Sequence, residues 1–319
     1  MPRYPLLAVI SLIVAVVTHA ADKITVAVVP MGTTHQYWKQ LHQGAQKAEA
    51  ELKAAGQPVE IIWKGPLRED DRDQQVQVVE NFMTRRVNGI VLAPLDTRAL
   101  ARPVEQATKA GIPVVVVDSP LASQAPVSTI ATDNYAGGRL AGKRLGEVLD
   151  GQGKVILLRV QVGSASCEAR EQGFLDELAE NFPKLEVISS NQHGGATRNT
   201  ALAVSQNLLV RYGREVDGIV TPNESTLAGM LVALADAGLA GGKVKLVGFA
   251  NSRQFTDEIE NGDLQGLVLQ DPEKMGYLGV KTIVAALKGE SIETFVDTGV
   301  VIATKNNLND AHIQTLLGQ

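Results

Sequence analysis

The chain has 319 residues, a formal net charge of −5 and 45% apolar residues. That length admits two domains of ordinary size, each able to bury a core, and the apolar content excludes a disordered chain. The acidic balance leaves no basic footprint for nucleic acid, and a single cysteine, Cys167, excludes an internal disulfide. A catalytic thiol would need a partnered histidine, which the sequence does not nominate.

Residues 1–21 read as a secretory signal peptide. Arg3 supplies the positive start, residues 6–17 are apolar except for Ser11, and Ala20 is a small residue at the cut. The stretch is too short to span a membrane comfortably. Cleavage is expected after Ala20 or Ala21, with no cysteine there for a lipid anchor. The mature protein is therefore expected in the periplasm.

From residue 23 strands and helices alternate. Residues 24–29 form the first strand. Trp38, Leu41, Ala45, Ala48 and Leu52 then recur at steps of three and four, the apolar face of a helix. Residues 59–63 form the second strand. The charge run 68–73 reads as the solvated first turn of a helix with Val76, Val79, Phe82 and Met83 inward. Residues 89–93 form the third strand, and Asp96 can cap a helix that closes at Gly111. Residues 113–118 read Pro-Val-Val-Val-Val-Asp. A β-branched run with both faces apolar is a strand buried on both sides, as in a parallel sheet covered by helices. It stops on a carboxylate, and ligands in open α/β sheets sit at strand ends. Asp118 is the first candidate on that ground.

A second set follows: strands at 154–160, 185–189, 218–221 and 244–249, with helices at 168–180, 198–212 and 225–237. Asn88-Gly89-Ile90-Val91 is echoed by Asp217-Gly218-Ile219-Val220, each followed by proline, a cap candidate and a helix. Two doubly wound α/β lobes result, the first from 22–132 with 271–296, the second from 133–270 with 297–319. Strands at 127–131, 264–270 and 295–301 mark three crossings, a hinge that also defines a cleft.

Several motifs carry a resemblance. They are Tyr37-Trp38, Leu92-Ala93-Pro94-Leu95-Asp96, Asp133-Asn134 with Gly137-Gly138, Arg170-Glu171-Gln172-Gly173-Phe174, Pro222-Asn223-Glu224, Val247-Gly248-Phe249 and Gln270-Asp271-Pro272. In this order, over essentially the whole mature chain, the sequence resembles the type I periplasmic sugar-binding proteins, the ribose-binding kind above all. The resemblance implies two Rossmann-like lobes, a sugar or polyol in the cleft, and delivery to the membrane permease of an ABC importer. It implies a monomer that needs no cofactor and catalyses nothing; the alternative role is presenting ligand to a membrane chemoreceptor or histidine kinase.

Carried over by position, Tyr37 and Trp38 fall on the family's aromatic pair, whose faces suit the C–H side of a sugar ring. Asp118 falls on its hydroxyl-binding aspartate, and Asn223 and Gln270 on its amides. Asn223 is equally placed to cap the next helix. Four departures stand out: Ser119 and Glu168 where ribose receptors carry arginines, Ala250 followed by Asn251 where they carry an aspartate, and Ala93 for an asparagine. Ribose is not expected to be held in the ribose way. Glu168 is expected in the cleft as a hydroxyl acceptor or a partner for an amine, or else as a first-turn surface acid; Lys64 is expected outward, and His35 lies in the loop facing the cleft. No phosphate-binding glycine loop, nucleophile elbow or metal-spaced histidine pair occurs.

Overall fold

The computed structural model describes residues 23–318; the expected signal peptide lies outside them. The first half of the chain runs β1 (Ile24–Val29), α1 (Gln36–Ala54), β2 (Val59–Trp63), α2 (Arg72–Thr84), β3 (Gly89–Leu92), α3 (Ala101–Lys109), β4 (Val114–Val117) and β5 (Ser128–Ala131). It continues as α4 (Asn134–Val148), β6 (Gln152–Arg159), α5 (Ala165–Asn181), β7 (Lys184–His193), α6 (Arg198–Tyr212), β8 (Gly218–Thr221), α7 (Glu224–Asp236) and β9 (Lys245–Phe249). The last elements are α8 (Thr256–Asn261), β10 (Gly266–Leu269), α9 (Pro272–Leu287), β11 (Phe295–Asp297), β12 (Val301–Ala303) and α10 (Ala311–Leu316). Among the described residues no helix is long and apolar enough to cross a membrane.

Two six-stranded sheets form, ordered β11-β5-β4-β3-β1-β2 and β12-β10-β9-β8-β6-β7. All pairings are parallel except β10 with β12. The valine strand β4 is buried throughout, between β3 and β5. Successive strand residues serve opposite faces. Val26 and Val28 pack under α1 and α9, whereas Ala27 and Val29 pack under α2 and α3. The second sheet repeats this: Val155 and Leu157 meet α4 and α5, and Ile156 and Leu158 meet α6 and α7. Helices on both faces explain why the central strands read as continuous apolar runs.

The chain passes between the sheets after β5, after β10 and between β11 and β12. The third passage differs from the single strand expected at 295–301. Gly299 takes a φ of +86°, and the Asp297 carboxylate accepts the Gly299 N–H at 2.9 Å and the Asp133 N–H at 3.2 Å. That turn ends one strand in the first sheet and starts another in the second.

Both lobes use the same packing device. A Cβ on Gly44 of α1 would lie 1.8 Å from the Glu273 carbonyl oxygen of α9, and one on Gly276 of α9 would lie 2.0 Å from that of Leu41. In the second lobe, a Cβ on Gly138 of α4 would lie 2.0 Å from the Arg170 carbonyl oxygen, and one on Gly173 of α5 would lie 2.1 Å from that of Tyr135. These helix pairs therefore cross in backbone contact. Gly138→Ala should cost about 1–3 kcal/mol or more through overpacking. The change will show as a lower denaturant midpoint, and an unshifted midpoint would refute the crossing.

Candidate ligand-binding site

The loops at the C-terminal ends of the strands converge between the lobes. β4 ends in a three-residue turn: the Ser119 N–H donates to the Val117 carbonyl at 2.7 Å, and Asp118 between them has a φ of +66°. Aspartate is among the few side chains that tolerate that backbone, at a cost. The turn points the Asp118 carboxylate into the cleft, where it accepts the Tyr37 hydroxyl at 2.5 Å. Burial pushes its pKa up, against the pull of Arg170 and the Tyr37 hydrogen bond.

Tyr37 and Trp38 occupy the first turn of α1 and meet edge to face, centroids 4.9 Å apart at 83°. Both line the cavity and both pack into the first lobe's core. The Trp38 indole N–H donates to Glu69 Oε1 at 2.6 Å, and His35 Nδ1 lies 2.8 Å from the same oxygen. This corrects the solvated turn expected at 68–73. Asp71 caps α2, so the helix starts at Arg72, and Glu69 before it turns inward.

Arg170 of α5 is buried and also lines the cavity. It donates to Asn134 Oδ1 at 2.8 Å, the Pro222 carbonyl at 3.0 Å and Gln270 Oε1 at 2.8 Å, and lies 4.9 Å from the Phe249 ring centroid. The cleft therefore does contain an arginine. Glu168 does not join it. It is exposed at the start of α5 and accepts the Gly163 N–H at 2.8 Å. Lys64 is exposed. Ser119 is buried beneath the cavity wall, where its hydroxyl accepts the Ser166 N–H at 3.2 Å.

Asn223 both lines the cavity and caps α7: its Oδ1 accepts the Thr226 N–H at 2.9 Å, which leaves the amide nitrogen for the cleft. Gln270 spends its oxygen on Arg170 in the same way. Asn251 also lines the cavity, but its amide is committed to the backbone of Gln270 and Leu316. Glu224, missed in the sequence, gives one oxygen to Gln254 at 3.2 Å; the other is buried and has no hydrogen-bond partner among the described residues. Burial raises its pKa, against the attraction of His35. Cys167 lines the cavity as an inert thiol, pushed by burial to about 11.

The two walls touch. Gln161 donates to the Glu69 carbonyl at 2.9 Å, the Thr97 N–H donates to the Gly163 carbonyl at 3.1 Å, and Ser225 Oγ lies 3.4 Å from His35 Nε2. The cleft is closed around a cavity that offers about 60 Å³ to the centre of a water molecule.

A family profile described as the periplasmic binding protein domain matches residues 26–291. The chain belongs to the periplasmic binding protein family. Within that family it is 28% identical to the ribose import binding protein RbsB of Haemophilus influenzae, over 91% of this chain and 95% of the relative. It is 25% identical to the xylitol-binding protein of Mycolicibacterium smegmatis, over 81% of this chain and 72% of the relative. A carbohydrate transporter solute-binding protein from Agrobacterium radiobacter, solved with D-arabinose, superposes with a TM-score of 0.87 at 32% identity, covering 93% of this chain and 99% of that one. That solved structure shares the two-lobed α/β architecture found here.

The His35–Glu69 pair gives this periplasmic binding protein a pH signature. Burial opposes charge on His35, but the Glu69 carboxylate outweighs it and lifts the pKa from 6.5 to about 9. Glu69 in turn is held below the usual carboxylate range, its burial outweighed by His35, Trp38 and Arg170. Because the folded histidine value lies above the unfolded one, its contribution to stability is complete below about pH 6.5 and is lost as pH rises through about 9. Ring NMR should show His35 titrating near pH 9, and Glu69→Gln should drop it to 6.5 or lower, since burial then acts with less opposition. An unchanged titration in the variant would show that Glu69 is not the cause.

Proposed function

We propose that the protein captures one small sugar or polyol in the cleft and hands it to the permease of an ABC importer. The observation that carries this reading is the convergence of one aromatic pair with acceptors and donors from both lobes. Tyr37 and Trp38 offer an apolar wall suited to a ring's C–H face. Asp118 keeps a carboxylate oxygen for hydroxyl protons, while Asn223 and Gln270 keep amide donors. Ligand contacts from both lobes would favour the closed form, which is how a solute stabilises closure.

The cavity is small. Its water-centre volume corresponds to a few water molecules, which suits a single ring and not an oligosaccharide. Three carboxylates, Glu69, Asp118 and Glu224, face one arginine and one protonated histidine, so an anionic sugar acid is disfavoured. The relatives' ligands, ribose, xylitol and D-arabinose, are neutral. Ala250 and Ser119 leave fewer polar contacts than the ribose receptors use, so another pentose, hexose or polyol is the expected solute.

A thermal-shift panel of neutral pentoses, hexoses, polyols and the matching sugar acids tests the reading. A neutral member should raise the melting temperature in proportion to the logarithm of its concentration, and the acids should not. Failure of every neutral sugar and polyol to bind would count against it. For the solute found, Asp118→Asn should weaken calorimetric affinity by about tenfold to a hundredfold, since a charge-assisted hydrogen bond is lost.

A further inference from the structure

A second cavity adjoins the cleft, lined mostly by the second lobe, and His35 and Glu224 form the partition that lines both. It is much the larger, offering about 460 Å³ to water centres, within the range of small-molecule sites. One wall is a stripe of α7, Ala228, Leu231, Val232 and Ala235, spaced as one helix face. The segment 254–258 adds Gln254, Phe255 and Glu258 to the lining. Small side chains at Ala228, Ala235 and Ala240 hold the groove open. Its polar edge is acidic: Glu224 and Glu258 each keep one buried carboxylate oxygen with no hydrogen-bond partner among the described residues, and Asp263 lines the same groove, with Arg198 and His35 as the basic side chains in its lining.

We propose that this groove is a second subsite of the same receptor, and that it takes an apolar substituent bearing a basic nitrogen on the molecule whose polyhydroxy ring lies in the cleft. The inference rests on the cleft being a sugar or polyol site. Only His35 and Glu224 stand in both linings, so the path from ring to substituent runs between these two side chains and is threaded while the lobes are apart. The α7 stripe supplies apolar contact for a short chain, whose burial adds affinity in proportion to the area removed from water. The two orphan carboxylate oxygens need donors, and an ammonium supplies them with the right charge, where a carboxylate would be repelled. The ligand class is thus an aminoalkyl glycoside or comparable conjugate, with the free sugar as its weaker fragment.

Calorimetry with D-arabinose, its hexyl and aminohexyl glycosides, and hexylamine alone tests the groove separately from the cleft. The aminohexyl glycoside should bind at least tenfold tighter than D-arabinose. Hexylamine should bind weakly on its own. Ala228→Leu, which fills the groove from the α7 side, should abolish both effects and leave D-arabinose affinity unchanged. Ala235→Leu repeats the test at the other end should the first variant melt early. Glu258→Gln should erase the preference of the aminohexyl over the hexyl glycoside. If D-arabinose binds while neither glycoside gains, the groove proposal is overturned and the cleft reading stands. If hexylamine binds in an Ala228-dependent way while D-arabinose and the neutral panel do not bind, the cleft reading falls and the groove's role as a second subsite falls with it. If neither hexylamine nor the glycosides bind, the groove proposal is overturned.

Discussion

Arg170 is almost wholly removed from water, and a cation in that position costs several kcal/mol unless its donors are met. They are met by three neutral acceptors on three separate segments: Asn134 where the chain has just entered the second lobe, Pro222 beyond β8, and Gln270 where the chain is about to leave. The guanidinium also lies over Phe249 at the end of β9. One side chain thereby fixes the spacing of the strand ends that build half the cavity. Asn134 extends the link, since its amide donates to the Asp118 carbonyl at 3.4 Å in the other lobe. Remove the guanidinium, and the amides of Asn134 and Gln270 lose the partner that orients them.

The opposite wall is organised around an acid instead. Glu69 takes the indole of Trp38 and the imidazole of His35 on a single oxygen. The aromatic face presented to a ligand is therefore locked by hydrogen bonds as well as by packing. Asp118 does the same for Tyr37 through its hydroxyl. A cation-centred wall and an acid-centred wall come together on closure, and Arg170 lowers the cost of ionising both Asp118 and Glu69. The charge of Arg170 thus offsets part of the cost of burying two acids in the facing wall.

The central strands and their alternation of faces were legible in the sequence, because β-branched runs bounded by glycine and proline admit few other structures. So was Asp118, since a carboxylate ending an otherwise apolar strand is conspicuous. Glu69 was not, because it sits in a run of six charged residues, and nothing local separates the one that turns inward from those that face water. Arg170 was visible as part of a motif but not as a cleft residue, and Glu168 was favoured in its place. The two stand two positions apart on α5, about 200° around the helix, so only one can face the cavity. Which one is decided by the close crossing of α4 and α5, a tertiary constraint held by Gly138 and Gly173. The break at Gly299 was hidden because both short strands flanking it carry strand-forming residues.

The carbonyl of Leu316 accepts the Asn251 amide at 3.1 Å from the second lobe and the Gln40 amide at 3.2 Å from the first. The end of α10 is therefore a clasp shared by both halves of the molecule, next to the passages on which they swing. Any bulk fused beyond this helix would load the clasp directly. Reporter groups and affinity handles intended to leave the opening motion undisturbed belong on surfaces remote from it, such as the exposed outer face of α6 around Val210.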